Sequence, residues 1–235
     1  MEGIARTDTL TQRVRLMRAE LRLIATVIMS QGSFVPHIIL VKHALPEIIP
    51  TLPANQWHLS EFGRTQCALL ADQLATYAPA ALVSSLEPKA LETAHLVAQR
   101  MYTSVQIADG LHEHDRSNTP WLGSEEFDRA VAAFFHRPAE LVLGCETAQQ
   151  ASERFAKTMA EVTGWHVEQN VIVFTHGTVL SLYVARVTGI EPFALWKRLG
   201  LPSFVVLTFP QFEINRVVEK MALTLQAVAR VTGER

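Results

Sequence analysis

Two short apolar runs, each ending at a histidine, constrain what this chain can fold into. Residues 38–41 (IILV) are followed by Lys42 and His43, and residues 171–175 (VIVFT) by His176-Gly177. Both runs are rich in β-branched residues and too short for a stable helix. They read as strands buried on both faces, as in the interior of a parallel sheet covered by helices. In an open sheet of that kind the ligand crevice lies beyond the carboxyl ends of the strands. Lys42, His43 and His176 therefore stand where chemistry would be expected.

The rest of the chain alternates between the two periodicities. Ser60 is a suitable N-cap for a helix that buries Cys67, Leu70, Leu74 and Tyr77 at spacings of three and four. Residues 81–84 and 105–108 read as further strands. Pro88 suits the first turn of a helix burying Leu91, Ala94, Ala98 and Met101. Residues 118–123 read as a loop and 127–135 as an apolar helix ended by Pro138. A helix from about Glu146 places Ala151, Phe155, Met159 and Val162 on one face, with Gly164 as its C-cap. Helices follow His176 (to Gly189) and span 193–199. Residues 204–209 and 213–218 read as an edge hairpin. Strands alternating with helices give an α/β class with a mainly parallel sheet and helices on both faces. A proline-rich loop with Pro46, Pro50 and Pro53 follows His43 and is placed to roof a pocket.

With 235 residues, 49% hydrophobic and 19% charged, the chain has material for one substantial core. Residues 34–235 are read as one domain. Residues 1–33 stand apart as a basic extension. Arg6, Arg13, Arg15, Arg18 and Arg22 accompany Val14, Met17, Leu21, Ile24 and Ile28 at helical spacing, the pattern of a basic amphipathic helix. Glu20 and Arg22 interrupt the apolar region, so a secretory signal fits badly. The net charge of −2 gives no general drive towards nucleic acid or an anionic membrane. No apolar run is long enough for a transmembrane segment. Cys67 and Cys145 lack metal-type spacing and are expected as buried free thiols in a reducing, cytoplasmic setting. A homo-oligomer stays open.

Lys42 and His43, Lys89 beyond Ser84-Ser85, and His176 bring cations and imidazoles to the strand ends without convergent carboxylates. That composition suits an anionic ligand, with phosphate the common one. Phosphoryl transfer needs charge stabilisation on the equatorial oxygens and an in-line nucleophile. A neutral imidazole is such a nucleophile and would form a phospho-histidine. The leaving alcohol needs a proton, for which Glu113 is the candidate donor. It lies among His112, His114 and Asp115, each of which is also a candidate. Trp57 and His58 are candidates for the pocket entrance, with Trp57 better suited to the core. His95 and Arg154 are assigned structural places.

These stretches, in this order, resemble the histidine phosphatase superfamily, the phosphoglycerate mutase-like family. The KHA after the first strand resembles its RHG signature. Residues 59–74 (LSEFGRTQCALLADQL) resemble its L-T-x-x-G-x-x-Q-A helix, and 83–98 (VSSLEPKALETAHLVA) its S-S-x-L-x-R-A-x-x-T-A segment. LHEHD at 111–115 resembles the segment carrying the family's acid/base carboxylate. GCETAQQASERF at 144–155 resembles its G-E-S helix, and VIVFTHG its second histidine. The resemblance covers about 36–210. It implies a three-layer, phosphoglycerate mutase-like fold and a metal-independent hydrolase, a phosphatase acting on a small phosphate monoester through a phospho-histidine intermediate. It implies His43 as nucleophile, Lys42, Lys89 and His176 as phosphate-binding residues, and Glu113 as the general acid. No cofactor or metal is implied. Lysine stands at positions 42 and 89 where the family usually has arginine, and Ala44 where it usually has glycine. Lysine keeps the charge and loses the bidentate fork.

Three rival readings remain. The H-E-H-D cluster suggests a metal hydrolase but lacks further ligands. A phosphomutase would be expected to carry a longer lid than 115–144 supplies. A catalytically weak relative would bind a phosphorylated ligand without turning it over.

Overall fold

A computed structural model describes residues 35–221. The basic segment 1–33 and the last residues of the expected domain lie outside the described residues. Strands β1 (His37–Lys42), β2 (Ala80–Ser84), β3 (Val105–Ile107), β4 (Asn170–Thr175), β5 (Ser203–Thr208) and β6 (Ile214–Val218) form one sheet in the order β3-β2-β4-β1-β5-β6. The first four pair in parallel, while β5 runs antiparallel to β1 and β6 antiparallel to β5. Of the expected edge hairpin only β6 is an edge. β5 is interior and buried along almost its whole length, because it closes the open side of β1.

Among the described residues six α-helices cover the sheet: α1 (Glu61–Leu74), α2 (Pro88–Arg100), α3 (Ser124–His136), α4 (Ala148–Trp165), α5 (Gly177–Thr188) and α6 (Pro192–Arg198). The two-residue alternation of the strands feeds two cores. Ile39, Val41, Ile172 and Phe174 pack on one face with Leu70 and Leu74 of α1 and Ala94 and Val97 of α2. Ile38, Leu40, Val171 and Val173 pack on the other with Phe134 of α3, Phe155 of α4, Leu180 of α5 and Leu195 of α6. The central strands are thus apolar on both faces, which is why they read as continuous runs. Burying each such side chain contributes about 1.5–3 kcal/mol. The architecture is a three-layer α/β fold. Among the described residues, no helix is long and apolar enough to cross a membrane.

The caps follow the sequence signals in most places. Ser60 caps α1 by accepting from Gly63 N, Pro88 opens α2, and Gly189 ends α5 in the left-handed conformation. Gly164 differs. It lies inside α4, and the helix ends instead at His166. A glycine permits a left-handed cap without requiring one, and Gly164 has no left-handed φ. Cys67 is buried as expected, whereas Cys145 is exposed, on the turn that follows Gly144.

Gly63 requires its residue type by proximity. A Cβ there would lie 2.1 Å from the Leu45 carbonyl oxygen. The absent side chain lets α1 press against the loop that follows His43, and Ser60 N and Oγ both donate to the same Leu45 oxygen at 3.0 Å.

Candidate active site

β2, β4 and β1 lie side by side and end together. Lys42 is in register with Thr175, and Ser84 with Phe174. His43 N donates to Thr175 O at 3.1 Å and Ser85 N to Phe174 O at 3.0 Å, so the ladder continues one residue past each strand. The next side chains in line are His43, His176 and Ser85. The two rings meet edge to face with centroids 5.3 Å apart.

His43 Nδ1 lies 2.7 Å from the Ala44 carbonyl oxygen. A carbonyl only accepts, so Nδ1 carries the proton and Nε2 keeps its lone pair. Burial pushes the His43 pKa well below the ordinary imidazole value, and the neighbouring His176, Lys89 and Lys42 push the same way. His43 is thus a neutral imidazole with one unprotonated nitrogen. His176 is fully buried, its Nε2 3.0 Å from Ser85 Oγ, and its Nδ1 has no partner among the described residues. Its pKa is also pushed well down, first by burial and then by Lys89, with Glu113 opposing.

The two lysines converge on this pair and are held by the protein itself. Lys42 Nζ donates to Leu199 O at 2.6 Å. Its stem lies against the start of α5, where a Cβ at Gly177 would fall 3.0 Å from Lys42 Cε. Burial lowers the Lys42 pKa to about 8, with Glu113 acting in opposition. Lys89 Nζ donates to Ala54 O at 2.7 Å, which ties the proline-rich loop over the site, and forms a buried ion pair with Glu87. Glu87 also accepts from Glu113 N at 2.8 Å and places Oε1 3.7 Å from His176 Nε2. The cations and imidazoles are therefore not without a carboxylate partner of their own: Glu87, which the sequence reading did not place there, enters the site beside the candidate donor Glu113.

Glu113 sits at the N-terminus of α5. Its carboxylate accepts from Thr178 N at 3.1 Å, Val179 N at 3.2 Å and His114 N at 2.9 Å. It caps the helix that His176 leaves without a side-chain cap. Burial raises its pKa, but His176, Arg116 and the amides outweigh burial and hold the carboxyl below its usual range. The neighbouring candidates have other partners. His114 is buried, donating Nε2–H to Leu143 O at 2.7 Å, and Asp115 accepts from Ser117 N and Oγ. The H-E-H-D run is thus divided among separate partners. Among the described residues no group of three or more His, Cys, Asp and Glu is arranged to hold a metal.

Arg154 of α4 holds the segment that carries Glu113. Its guanidinium donates to the carbonyls of Gly110 (2.8 Å), His112 (3.0 Å) and Glu113 (3.2 Å) and pairs with Glu146 at 2.6 Å. Thr175 Oγ1 donates to Leu111 O at 2.8 Å and fixes the same segment to β4. The structural place expected for Arg154 is the one observed. His95 is exposed on α2. His58 is exposed and paired with Glu92. Trp57 is buried, with its ring centroid 5.6 Å from that of the half-exposed Trp121.

Three residues at the site escaped the reading of the sequence: Ser85 as the partner of His176, Glu87 and Arg116. Glu87 had a readable signal, two residues before Lys89 at the start of a helix. Arg116 had none, since it follows the acidic cluster in an irregular segment.

Residues 39–218 match the family model described as histidine phosphatase superfamily, branch 1. The chain belongs to that superfamily. It is 29% identical over 138 residues to a metal-independent phosphoserine phosphatase of Arabidopsis thaliana, covering 55% of this chain and 58% of that protein. The chain thus spans under two thirds of the length of the curated relative it matches. The fold superposes on a mycobacterial glucosyl-3-phosphoglycerate phosphatase with a TM-score of 0.67 and 18% identity, over 80% of this chain and 100% of that one. It also superposes on a phosphoserine phosphatase from Entamoeba histolytica, solved with 3-phosphoglyceric acid, with a TM-score of 0.65 and 16% identity, over 79% and 98% of the two chains.

Proposed function

We propose that this chain is a metal-independent phosphatase that hydrolyses a small phosphate monoester through a phospho-histidine on His43. The observation that carries the reading is the His43 Nδ1 contact to the Ala44 carbonyl, which leaves Nε2 unprotonated inside a cationic, buried site. Nε2 attacks phosphorus, the N–P bond forms, and the P–O bond to the alcohol breaks with its electron pair leaving on oxygen. Water then attacks phosphorus, the N–P bond breaks, and inorganic phosphate leaves. His176 Nδ1, unpartnered and buried, gains a partner when a phosphoryl oxygen enters. Lys42 and Lys89 supply positive charge where the family usually has arginine.

Glu113 takes the proton role in both steps, giving a proton to the leaving oxygen and later taking one from water. In the free site it is held ionised. A phosphate dianion entering beside it adds like charge, raises its affinity for a proton, and brings the proton in with the substrate. The test is hydrolysis of an aryl phosphate in EDTA by the wild type and by His43→Ala, both checked for folding. Turnover that survives EDTA and disappears in the variant supports the reading. Turnover that EDTA abolishes, or that His43→Ala retains, overturns it.

One observation favours a second reading. Lys89 is neutralised by Glu87 inside the site, and Lys42 is bound to Leu199 O. A site whose cations are already engaged fits a module that binds a phosphorylated ligand and turns it over slowly or not at all. Phosphate-ester binding without turnover in the same assay identifies that case.

A further inference from the structure

Glu87 occupies the N-cap position of α2 without capping it. Its backbone is extended, φ −63° and ψ 133°, as a following proline favours. The same Glu-Pro pair opens α6, and there Glu191 accepts from Phe193 N at 2.9 Å and Ala194 N at 2.5 Å. The side chain of Glu87 makes no such bond to its own helix. It is buried and turns to the strand ends instead. There it pairs with Lys89, accepts from Glu113 N at 2.8 Å and brings Oε1 to 3.7 Å from His176 Nε2. Its own N donates to Ser85 Oγ at 3.2 Å, the hydroxyl that lies 3.0 Å from His176 Nε2. Main chain and side chain are thus both fixed beside His176.

An ammonium has three donors. Lys89 Nζ gives one to Ala54 O at 2.7 Å and another to Glu87. A carboxylate and a phosphoryl group are ligands of the same kind for it. Glu87 therefore bridges two of the groups proposed above to hold the phosphoryl oxygens, Lys89 and His176. Lys89 is 5% and Glu87 8% exposed, so water screens these charges poorly and a second anion is opposed at close range. Holding Lys89 still for phosphate would spare only the freedom of one lysine stem. The sign of the charge favours competition over aiming.

We infer that Glu87 is a built-in competitor of phosphate: its carboxylate holds Lys89 in the free protein, yields it in part to an arriving phosphoryl group, and takes it back as inorganic phosphate leaves. Glu87 acts through Lys89 and is a positioning residue that sets how tightly phosphate is retained. Its bearing on turnover rests on the phosphatase reading above, while the competition is a property of the phosphate site itself.

Calorimetry of inorganic phosphate on the full chain is the test, with folding checked by circular dichroism. Glu87→Gln keeps an oxygen acceptor for Glu113 N and removes the charge. It should bind phosphate roughly 10- to 100-fold more tightly, the worth of one charge-assisted bond. Glu87→Met fills similar space without the charge, should also tighten binding, and decides the matter if Glu87→Gln does not fold. Damage to the fold would loosen binding, so tightening is a specific readout. Lys89→Met should cost more affinity in the Glu87→Gln chain than in the wild type, whose lysine is already partly engaged. Unchanged, weaker or absent phosphate binding in folded Glu87→Gln overturns the proposal and leaves Glu87 as a residue that aims Lys89. An equal cost of Lys89→Met in both backgrounds also overturns it, leaving repulsion that does not act through Lys89. In turnover assays the inhibition constant of inorganic phosphate should fall in Glu87→Gln by the factor seen in calorimetry, with no rise in kcat. If no ester is hydrolysed, the phosphatase reading fails and calorimetry alone decides the competition.

Discussion

The imidazole rings of His43 and His176 meet edge to face at 5.3 Å, and they do so because β1 and β4 pair in parallel with Lys42 opposite Thr175. Each ring is positioned by a different bond, His43 by its own chain through Ala44 O and His176 by Ser85. Their roles therefore separate on substitution. His43→Ala should reduce aryl phosphate turnover to background. His176→Ala, which removes the group proposed to contact the phosphoryl oxygens, should lower kcat by roughly 10²–10³-fold. Steady-state kinetics beside circular dichroism checks this. Equal, modest losses in both variants would contradict the separate roles.

Lys42 sets a limit at alkaline pH. It is charged below its pKa of about 8 and neutral above it, so the site loses a positive charge as pH rises through that value. The profile of log kcat/KM should bend down with unit slope near pH 8. Lys42→Arg stays charged throughout and restores a fork. It should abolish the bend and raise kcat/KM towards a generic phosphate ester. A bend that persists in Lys42→Arg assigns the titration to another group. Unchanged or lower activity with folding intact removes the case for missing fork geometry.

The proton role proposed for Glu113 is readable from leaving groups. General acid catalysis contributes typically 10²–10⁴-fold, and only where the leaving oxygen needs a proton. Glu113→Gln should therefore lose about that factor on alkyl phosphates and little on an aryl phosphate with an acidic phenol. Uniform loss across a leaving-group series would show that Glu113 acts only as the cap of α5.

Two glycines of opposite character test the packing. Gly63→Ala drives a Cβ to 2.1 Å from Leu45 O and should destabilise by roughly 1–3 kcal/mol. Gly164→Ala has open space and a helical backbone in α4, so it should stabilise by roughly 0.5–1 kcal/mol. Urea denaturation of the two variants measures both signs.

The central strands, their ends and the two histidines were legible in the sequence, because a strand buried on both faces leaves a continuous apolar run and its end is marked by the first polar residues. The interior place of β5 was not, since an antiparallel partner of β1 carries the same pattern as an edge strand with one more apolar face. The cap at Gly164 failed because glycine tolerates a left-handed turn without enforcing one. Glu87 and Arg116 were missed for a different reason. Their places depend on how the loop after β2 and the segment after β3 meet in space, and no local periodicity reports that. Arg154 was readable as an anchor, since a lone arginine beside the buried stripe of a helix reaches for carbonyls.

Covalent participation of His43 is tested most directly by trapping. The wild-type chain is mixed with excess aryl phosphate in EDTA, quenched in base, digested and sequenced by mass spectrometry. A phosphoryl group on His43, stable in base, lost in acid and absent when substrate is omitted, is the predicted result. Continued turnover with no adduct on His43 under conditions that preserve phospho-histidine, or an adduct on a different residue, would contradict it.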